Sequence, residues 1–269
     1  MLLAVWSTMI EPRWIARREL VEPLANWNAA RPLRVAVAAD WHITRHAFWR
    51  VTTLERARAL VREINAAQPD LVLLPGDFIA DRDFRPEQEP TAEDEIAAVL
   101  GGLRAPLGVV AVLGNHDWWH GGARFAAALR RRGMVVLENQ AVQVRGTPLW
   151  LVGVGDHSTG HSDPARALAQ LPPQAVTLAL MHDPASLLAM PPLRGIAVAA
   201  HTHGGQIYLP VIGAPVMPGA APRAWAYGWI THNDNRMYVT SGLGVSILPL
   251  RLNMRPEWVM FTLGPQPPA

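Results

Sequence analysis

Val109, Val110, Ala111, Val112 and Leu113 run straight into Gly114, Asn115, His116 and Asp117. A short apolar run rich in β-branched residues is a buried strand, as found in parallel sheets. The polar cluster after it falls at the strand's carboxyl end, where open α/β sheets bind ligands. The same break recurs outward along the chain. Residues 34–39 precede Asp40-Trp41-His42, and 71–74 precede Gly76-Asp77. Residues 176–181 end at His182, and 196–199 precede His201-Thr202-His203. A lone buried His is more often a satisfied core residue, and a lone Gly-Asp is usually a turn. Five strand ends that each deliver Asp, Asn or His are not explained that way.

Helices are expected between these strands. Leu54, Ala57, Val61 and Ile64 recur at helical spacing, with Glu55, Arg58 and Arg62 on other faces, predicting a helix over 54–67. Further helices are predicted over 92–103 and over 123–132, the latter closed by Gly133. Asp163-Pro164 and Asp183-Pro184 each set a cap before a proline, so each starts a helix. Strands are predicted at 135–137, 142–145, 149–154, 237–241 and 258–263, and the Pro- and Gly-rich stretch 206–236 reads as a long loop. The alternation places the chain in the α/β class. Residues 33–269 read as one domain, preceded by an N-terminal extension over 1–32.

Composition removes several chemistries. Among 269 residues there is no cysteine, which excludes a disulfide scaffold, a thiolate zinc site, an iron–sulfur cluster and a cysteine nucleophile. There is also no lysine, so all 24 basic residues are arginine, and Walker-type loops and Schiff bases are excluded. The net charge is only +2, and the arginines are interleaved with acids, so nucleic acid is not an expected partner. Any metal must be held by nitrogen and oxygen. Two Asp, one Asn and four His at the strand ends suit hard-to-borderline divalent ions. Seven ligands exceed one tetrahedral site and suit two ions that share a carboxylate. In Asp40-x-His42 and His201-x-His203, residues two apart in extended chain would face one side.

These blocks resemble the calcineurin-like metallophosphoesterases, whose pattern is D-x-H, G-D, G-N-H-D/E, H and G-H-x-H in that order. Here they read DWH at 40–42, GD at 76–77, GNHD at 114–117, H at 182 and AHTH at 200–203. The strings GNHDWW, HTHGGQIYLP and SGLGVSILPLRLNMRPEW are similar to a bacterial phosphodiesterase branch with relatives that cleave the pyrophosphate bond of UDP-2,3-diacylglucosamine in lipid A synthesis. The resemblance implies a four-layer sandwich of two mixed β-sheets flanked by helices. It implies one divalent ion (Mn, Fe, Zn or Ni) on Asp40, His42, Asp77 and His203. A second would sit on Asp77, Asn115, His182 and His201. In the family a metal-bridging hydroxide attacks phosphorus in line. His116 would stabilise charge or protonate the leaving oxygen, with Asp117 beside it in the catalytic pair. The implied function is hydrolysis of phosphodiester or pyrophosphate bonds in small or lipid-linked substrates. The alternatives are a phosphomonoesterase or protein phosphatase, or a silent metal-binding scaffold. The chain departs from the pattern at Ala200, where Gly is usual. It also departs at Ala80, where many members carry a second Asp that here falls at Asp81.

Arg45, Arg50 and Arg251 are candidates for clamping a phosphate, since guanidinium binds it in a bidentate way, against the plainer reading of a surface or structural pair for each. His157, in a Gly-rich loop, is a further candidate substrate contact. Trp118 and Trp119 are candidates for walling the cleft, with ordinary core packing the alternative. Residues 1–10 are too short for a bilayer span, which needs about twenty residues, and no signal-peptide pattern surrounds them. The expected location is the cytoplasm. Trp6, Trp14 and Trp27 beside Arg13, Arg17 and Arg18 suit peripheral contact at the inner membrane face, against the plainer reading of packing on the domain. The sequence leaves the oligomeric state open.

Overall fold

The computed structural model describes residues 1–45, 51–80 and 92–265. Its elements in chain order begin with α1 (Leu2–Val5), β1 (Ala16–Pro23), β2 (Leu33–Val37), α2 (Leu54–Ala66), β3 (Leu71–Pro75) and α3 (Glu93–Leu100). They continue with β4 (Val109–Val112), α4 (Asn115–Trp119), α5 (Gly122–Arg131), β5 (Val135–Val136), β6 (Gln140–Gln143) and β7 (Leu149–Gly153). The last are α6 (Pro164–Leu168), β8 (Val176–Leu180), β9 (Gly195–Ala199), β10 (Gly228–His232), β11 (Asn235–Val239) and β12 (Glu257–Gly264).

The strands form two six-stranded sheets, in the orders β1-β12-β2-β3-β4-β5 and β10-β11-β9-β8-β7-β6. Both are mixed. β2, β3, β4 and β5 run parallel while β12 runs antiparallel to β2. In the second sheet β7, β8, β9 and β11 are parallel, with β6 and β10 antiparallel at the edges.

Side-chain alternation along each strand builds the layers. Val35, Val37, Leu71 and Leu73 from the first sheet meet Leu151, Leu178 and Val198 from the second in a shared core. Ala36, Val72, Leu74 and Ala111 face the other way, onto Ala57 and Ile64 of α2, Ile96 of α3 and Phe125 of α5. On the far side, Ala179, Ala197, Met237 and Val239 are covered by Ala167 of α6, Leu187 and Trp225. Helix, sheet, sheet and helix are stacked as expected, and strands buried on both faces explain the unbroken apolar runs.

Three features differ from the sequence reading. Residues 16–23, inside the expected extension, form β1 and pair in parallel with β12 along its whole length. Their run ARRELVEP is charged because β1 is an edge strand with exposed side chains. The expected loop 206–236 instead contains β10 and the start of β11. Asn233 and Asp234, at φ 47° and 63°, make the tight turn between them, a geometry these residues tolerate. The helix predicted over 92–103 stops at Leu100, before the Gly101-Gly102 pair. Among the described residues, no helix is long and apolar enough to cross a membrane.

Candidate metal centre

The two sheets direct the carboxyl ends of β2, β3, β4, β8 and β9 to one place. Asp40 and His42 follow β2, Asp77 follows β3, Asn115 opens α4 directly after β4, His182 follows β8, and His201 and His203 follow β9. All seven are buried. Alternation in extended chain does not align them, contrary to the sequence reading. Asp40, His42, Asp77, His201 and His203 have φ of 50°, 43°, 55°, 69° and 51°, the left-handed region that non-glycine residues rarely occupy. Each left-handed step turns the chain across the strand end, which swings successive side chains inward. Such backbone strain persists only where surrounding bonds hold it. Here the Asp40 N–H donates to Gly76 O at 3.1 Å and the His42 N–H to Asp77 O at 3.1 Å. The His201 N–H crosses between sheets to Asp40 Oδ1 at 3.2 Å. The loops approach so closely at Gly76 that a Cβ there would lie 2.6 Å from Gly114 N and 2.8 Å from His182 Nδ1.

The donor atoms converge. His42 Nε2 and His203 Nε2 are 3.1 Å apart, with Asp40 Oδ1 3.9 Å from the latter. On the other side His182 Nε2 lies 3.2 Å from each of Asn115 Oδ1, His201 Nδ1 and Asp77 Oδ2. Asp77 Oδ2 is also 3.8 Å from His42 Nε2 and from His116 Nε2. Three buried groups thus have ligand atoms mutually within 4.8 Å: Asp40, His42 and His203; His42, Asp77 and His116; and Asp77, His182 and His201. Asp77 belongs to groups on both sides.

The electrostatics ask for a cation. Burial pushes the Asp40 carboxyl up to about 7, with the charge of Asp77 adding to the rise and His182 opposing it. Burial works the same way on Asp77, yet His182, His116 and His42 hold it well below the carboxylate range. For His182 burial favours the neutral ring, but Asp77 prevails and raises it well above an ordinary imidazole. Burial lowers both His201 and His203, assisted by His182 and His42 respectively, so these two rings are neutral lone-pair donors. Asp40 Oδ2 and His201 Nε2 are buried with no hydrogen-bond partner among the described residues. Facing imidazole nitrogens, ionised oxygens and an orphan carboxylate oxygen fit divalent metals. The His182 Nδ1–H donates to Pro75 O at 2.7 Å, so Nε2, facing Asp77, is the nitrogen a metal would engage on displacing its proton.

The remaining predicted residues divide. His116 lies against the cluster, edge-on to His42 at 4.7 Å between ring centres and 5.0 Å from the Trp119 ring. Trp119 is exposed beside it, while Trp118 stacks on His161 at 3.7 Å instead. Asp117 does not point at the cluster. Its carboxylate accepts from the backbone N–H of Asp77, Phe78, Ile79 and Gly114 at 2.9–3.2 Å, tying the loop after β3 to the loop after β4. It positions Asp77 through the backbone, a supporting role distinct from direct contact with a reacting group. Arg251 is fully buried rather than open to the cleft. Its guanidinium donates to Ser241 O and Gly244 O, both at 2.7 Å, to Met254 O at 3.2 Å, and to His203 O at 3.4 Å. It supports the loop behind His203, in keeping with a structural role rather than a phosphate clamp. Arg45 pairs with Glu95 at 2.6 Å, and His157 is exposed on its loop. Arg50 and Asp81 lie outside the described residues. The sequence reading missed Asp183 beyond its capping role. It does accept the Ala185 N–H at 2.8 Å, but its other oxygen lies 3.9 Å from His201 Nε2.

The sequence profile of the Calcineurin-like phosphoesterase family matches residues 33–205, which hold every ligand block. The chain belongs to this family. It is 30% identical to the uncharacterized metallophosphoesterase YkuE of Bacillus subtilis (strain 168), over 78% of this chain and 73% of that protein. It is 34% identical to the phosphodiesterase YaeI of Escherichia coli (strain K12), over 88% of this chain and 83% of that one. Identity to the UDP-2,3-diacylglucosamine pyrophosphatase LpxG of Chlamydia trachomatis is 24%, over 77% and 74%. This calcineurin-like phosphoesterase is thus a metal-dependent phosphoesterase, and its His and Asp groups are able to bind divalent metals.

Proposed function

We propose that the chain is a two-metal phosphodiesterase or pyrophosphatase acting on a small or lipid-linked phosphoester. The observation that carries this is the Asp77 carboxylate, shared between a buried group with His42 and His116 and another with His182 and His201. Asp40, His42, Asp77 and His203 would hold one ion, and Asp77, Asn115, His182 and His201 the other. When bound, such a pair supplies an activated water and neutralises phosphate oxygens for in-line displacement. Asn115, at the start of α4, orients its amide oxygen toward His182 and completes the second set. His116 is the group at the rim of the cluster able to carry a proton to the leaving oxygen. The names of YaeI and LpxG support a diester or pyrophosphate bond as the target. Manganese and a lipid A precursor are the specific metal and substrate class to try first.

The test is hydrolysis of an aryl phosphodiester with added manganese, run alongside measurement of bound metal. Asp77→Ala is expected to lose both ions and all turnover above background. His116→Gln is expected to keep its metal and lose about 10²–10⁴-fold in turnover, the usual contribution of a general acid. Wild-type activity in Asp77→Ala overturns the reading. Metal loss in His116→Gln reassigns that ring as a ligand.

A further inference from the structure

The loops that carry His203 also carry exposed apolar side chains the metal site does not use. Val211 and Ile212 stand out of the loop after His203, Val211 being fully solvent-exposed at 107%. Ile247 and Leu248 do the same on a second loop. Leu3, Met9 and Ile10 are exposed on the helical segment at the N-terminus.

Hydrogen bonds stitch these three segments together. The Tyr208 N–H donates to Leu252 O at 2.8 Å, and Gln206 Nε2 to Leu248 O at 3.0 Å. The Arg251 N–H donates to Ser7 O at 2.8 Å, and the Met254 N–H to Glu11 Oε1 at 2.6 Å. Arg251 then reaches His203, so the apolar face is continuous in bonding with a strand end of the metal cluster.

Composition separates this face from ordinary surface. The largely exposed stretch 205–220 and the loop tip 246–250 contain no Asp, Glu or Arg. Exposed apolar side chains gathered on loops that bond to one another mark an interaction site. The border of the face is aromatic and cationic. Trp6 packs edge-on to Trp14 at 5.9 Å, and the Arg255 guanidinium lies 3.7 Å over the Trp14 ring. The Arg13 guanidinium donates to Thr8 O and Met9 O, and Arg255 to Trp14 O and Ile15 O. Among the described residues these two arginines bond carbonyls and a ring rather than a carboxylate, so their charge is available to an anion. A cavity of about 420 Å³ beside Trp6 is lined by Arg18 and Arg255 but also by Glu11 and Glu257, so the anion contacts are assigned to Arg13 and Arg255 at the border rather than to the cavity. Uncharged loop tips that insert, with tryptophan and arginine at headgroup height, match an interfacial membrane surface.

We propose that this face docks the protein onto an anionic lipid bilayer, through the 208–216 loop, the 246–250 loop and the N-terminal helical segment. The docking stands independently of the hydrolytic reading. Only the consequence that the metal cleft meets lipid-linked substrate rests on it. Protruding tips on three separate segments suit insertion between lipids better than the flat, self-complementary patch of a symmetric dimer.

Flotation of the full chain with vesicles decides it, using phosphatidylcholine alone or mixed with phosphatidylglycerol. Wild type is expected to float with the anionic vesicles and roughly tenfold more weakly with phosphatidylcholine. Val211→Asp combined with Ile212→Asp, and separately Leu248→Asp on the other loop, are each expected to reduce flotation at least about tenfold. Both should retain bound manganese and aryl phosphodiester hydrolysis, which shows that they fold. Failure of wild type to float, or variants floating as well as wild type, overturns the proposal. Loss of a wild-type dimer in the variants, seen by light scattering without any change in flotation, overturns it in favour of a second copy. Flotation without hydrolysis leaves docking intact and removes the phosphodiesterase reading instead.

Discussion

The chemistry of the centre concentrates in single residues whose backbone is unusual. Asp40 combines a left-handed φ of 50° with a buried carboxyl pushed up to about 7. Below pH 7 its oxygen carries a proton that a cation must displace, and above pH 7 it does not. Metal affinity should therefore fall as the pH drops through 7, and because the raised His182 must also lose a proton to ligate, it should keep rising above 7. Calorimetric titration with manganese should find affinity at least about tenfold weaker at pH 6 than at pH 8, with more protons released at the lower pH. The identities of Asp40 and its fellow donors were legible in the sequence, because each breaks an apolar strand. Their left-handed conformation was not. Asp and His carry no local signal for it, and the turn is imposed by bonds such as Asp40 N–H to Gly76 O between loops distant in sequence.

Among the elements, the loops after β3 and β4 act as one unit because Asp117 binds both. Four backbone N–H groups, three on the Asp77 to Ile79 turn and one on Gly114, share its two oxygens. Asp117→Ala leaves those groups buried without an acceptor. We expect a loss of about 3 kcal/mol in stability, measured by urea unfolding of the metal-free protein. Because Asp77 is displaced with its loop, metal affinity should fall about 10–100-fold, as is usual when a ligand loses its support. The GNHD string marked Asp117 as important, but a motif does not distinguish a group that faces substrate from one that faces backbone. Strands with two buried faces were readable as apolar runs. The edge strand β1 and the β10–β11 hairpin were not, since edge strands mix charged and apolar side chains and carry little periodic signal.

At the scale of the molecule, the centre is a seam between the sheets. Asp40, His42, Asp77 and Asn115 come from the first sheet, and His182, His201 and His203 from the second. Bound metal should therefore clamp the two halves and stabilise the native state by mass action. At free metal about a hundredfold above the dissociation constant, the gain is about 2.7 kcal/mol. That corresponds to a rise of about 5–10 °C in melting temperature, reversed by a chelator and seen in a thermal scan. Asp77→Ala should show little or none of it.

Strand-end chemistry is local, so the α/β class, the family and a set of candidate donors could be read from apolar runs broken by Asp, Asn and His. Distance along the chain conceals the rest. The sharing of Asp77, the burial of Arg251 behind His203 and the meeting of the N-terminal segment with the loops at 206 and 248 join residues tens to hundreds of positions apart. Those contacts form only when two sheets pack face to face and bring their strand ends together. Packing, more than residue type, separates a ligand from a support and a substrate contact from a structural guanidinium.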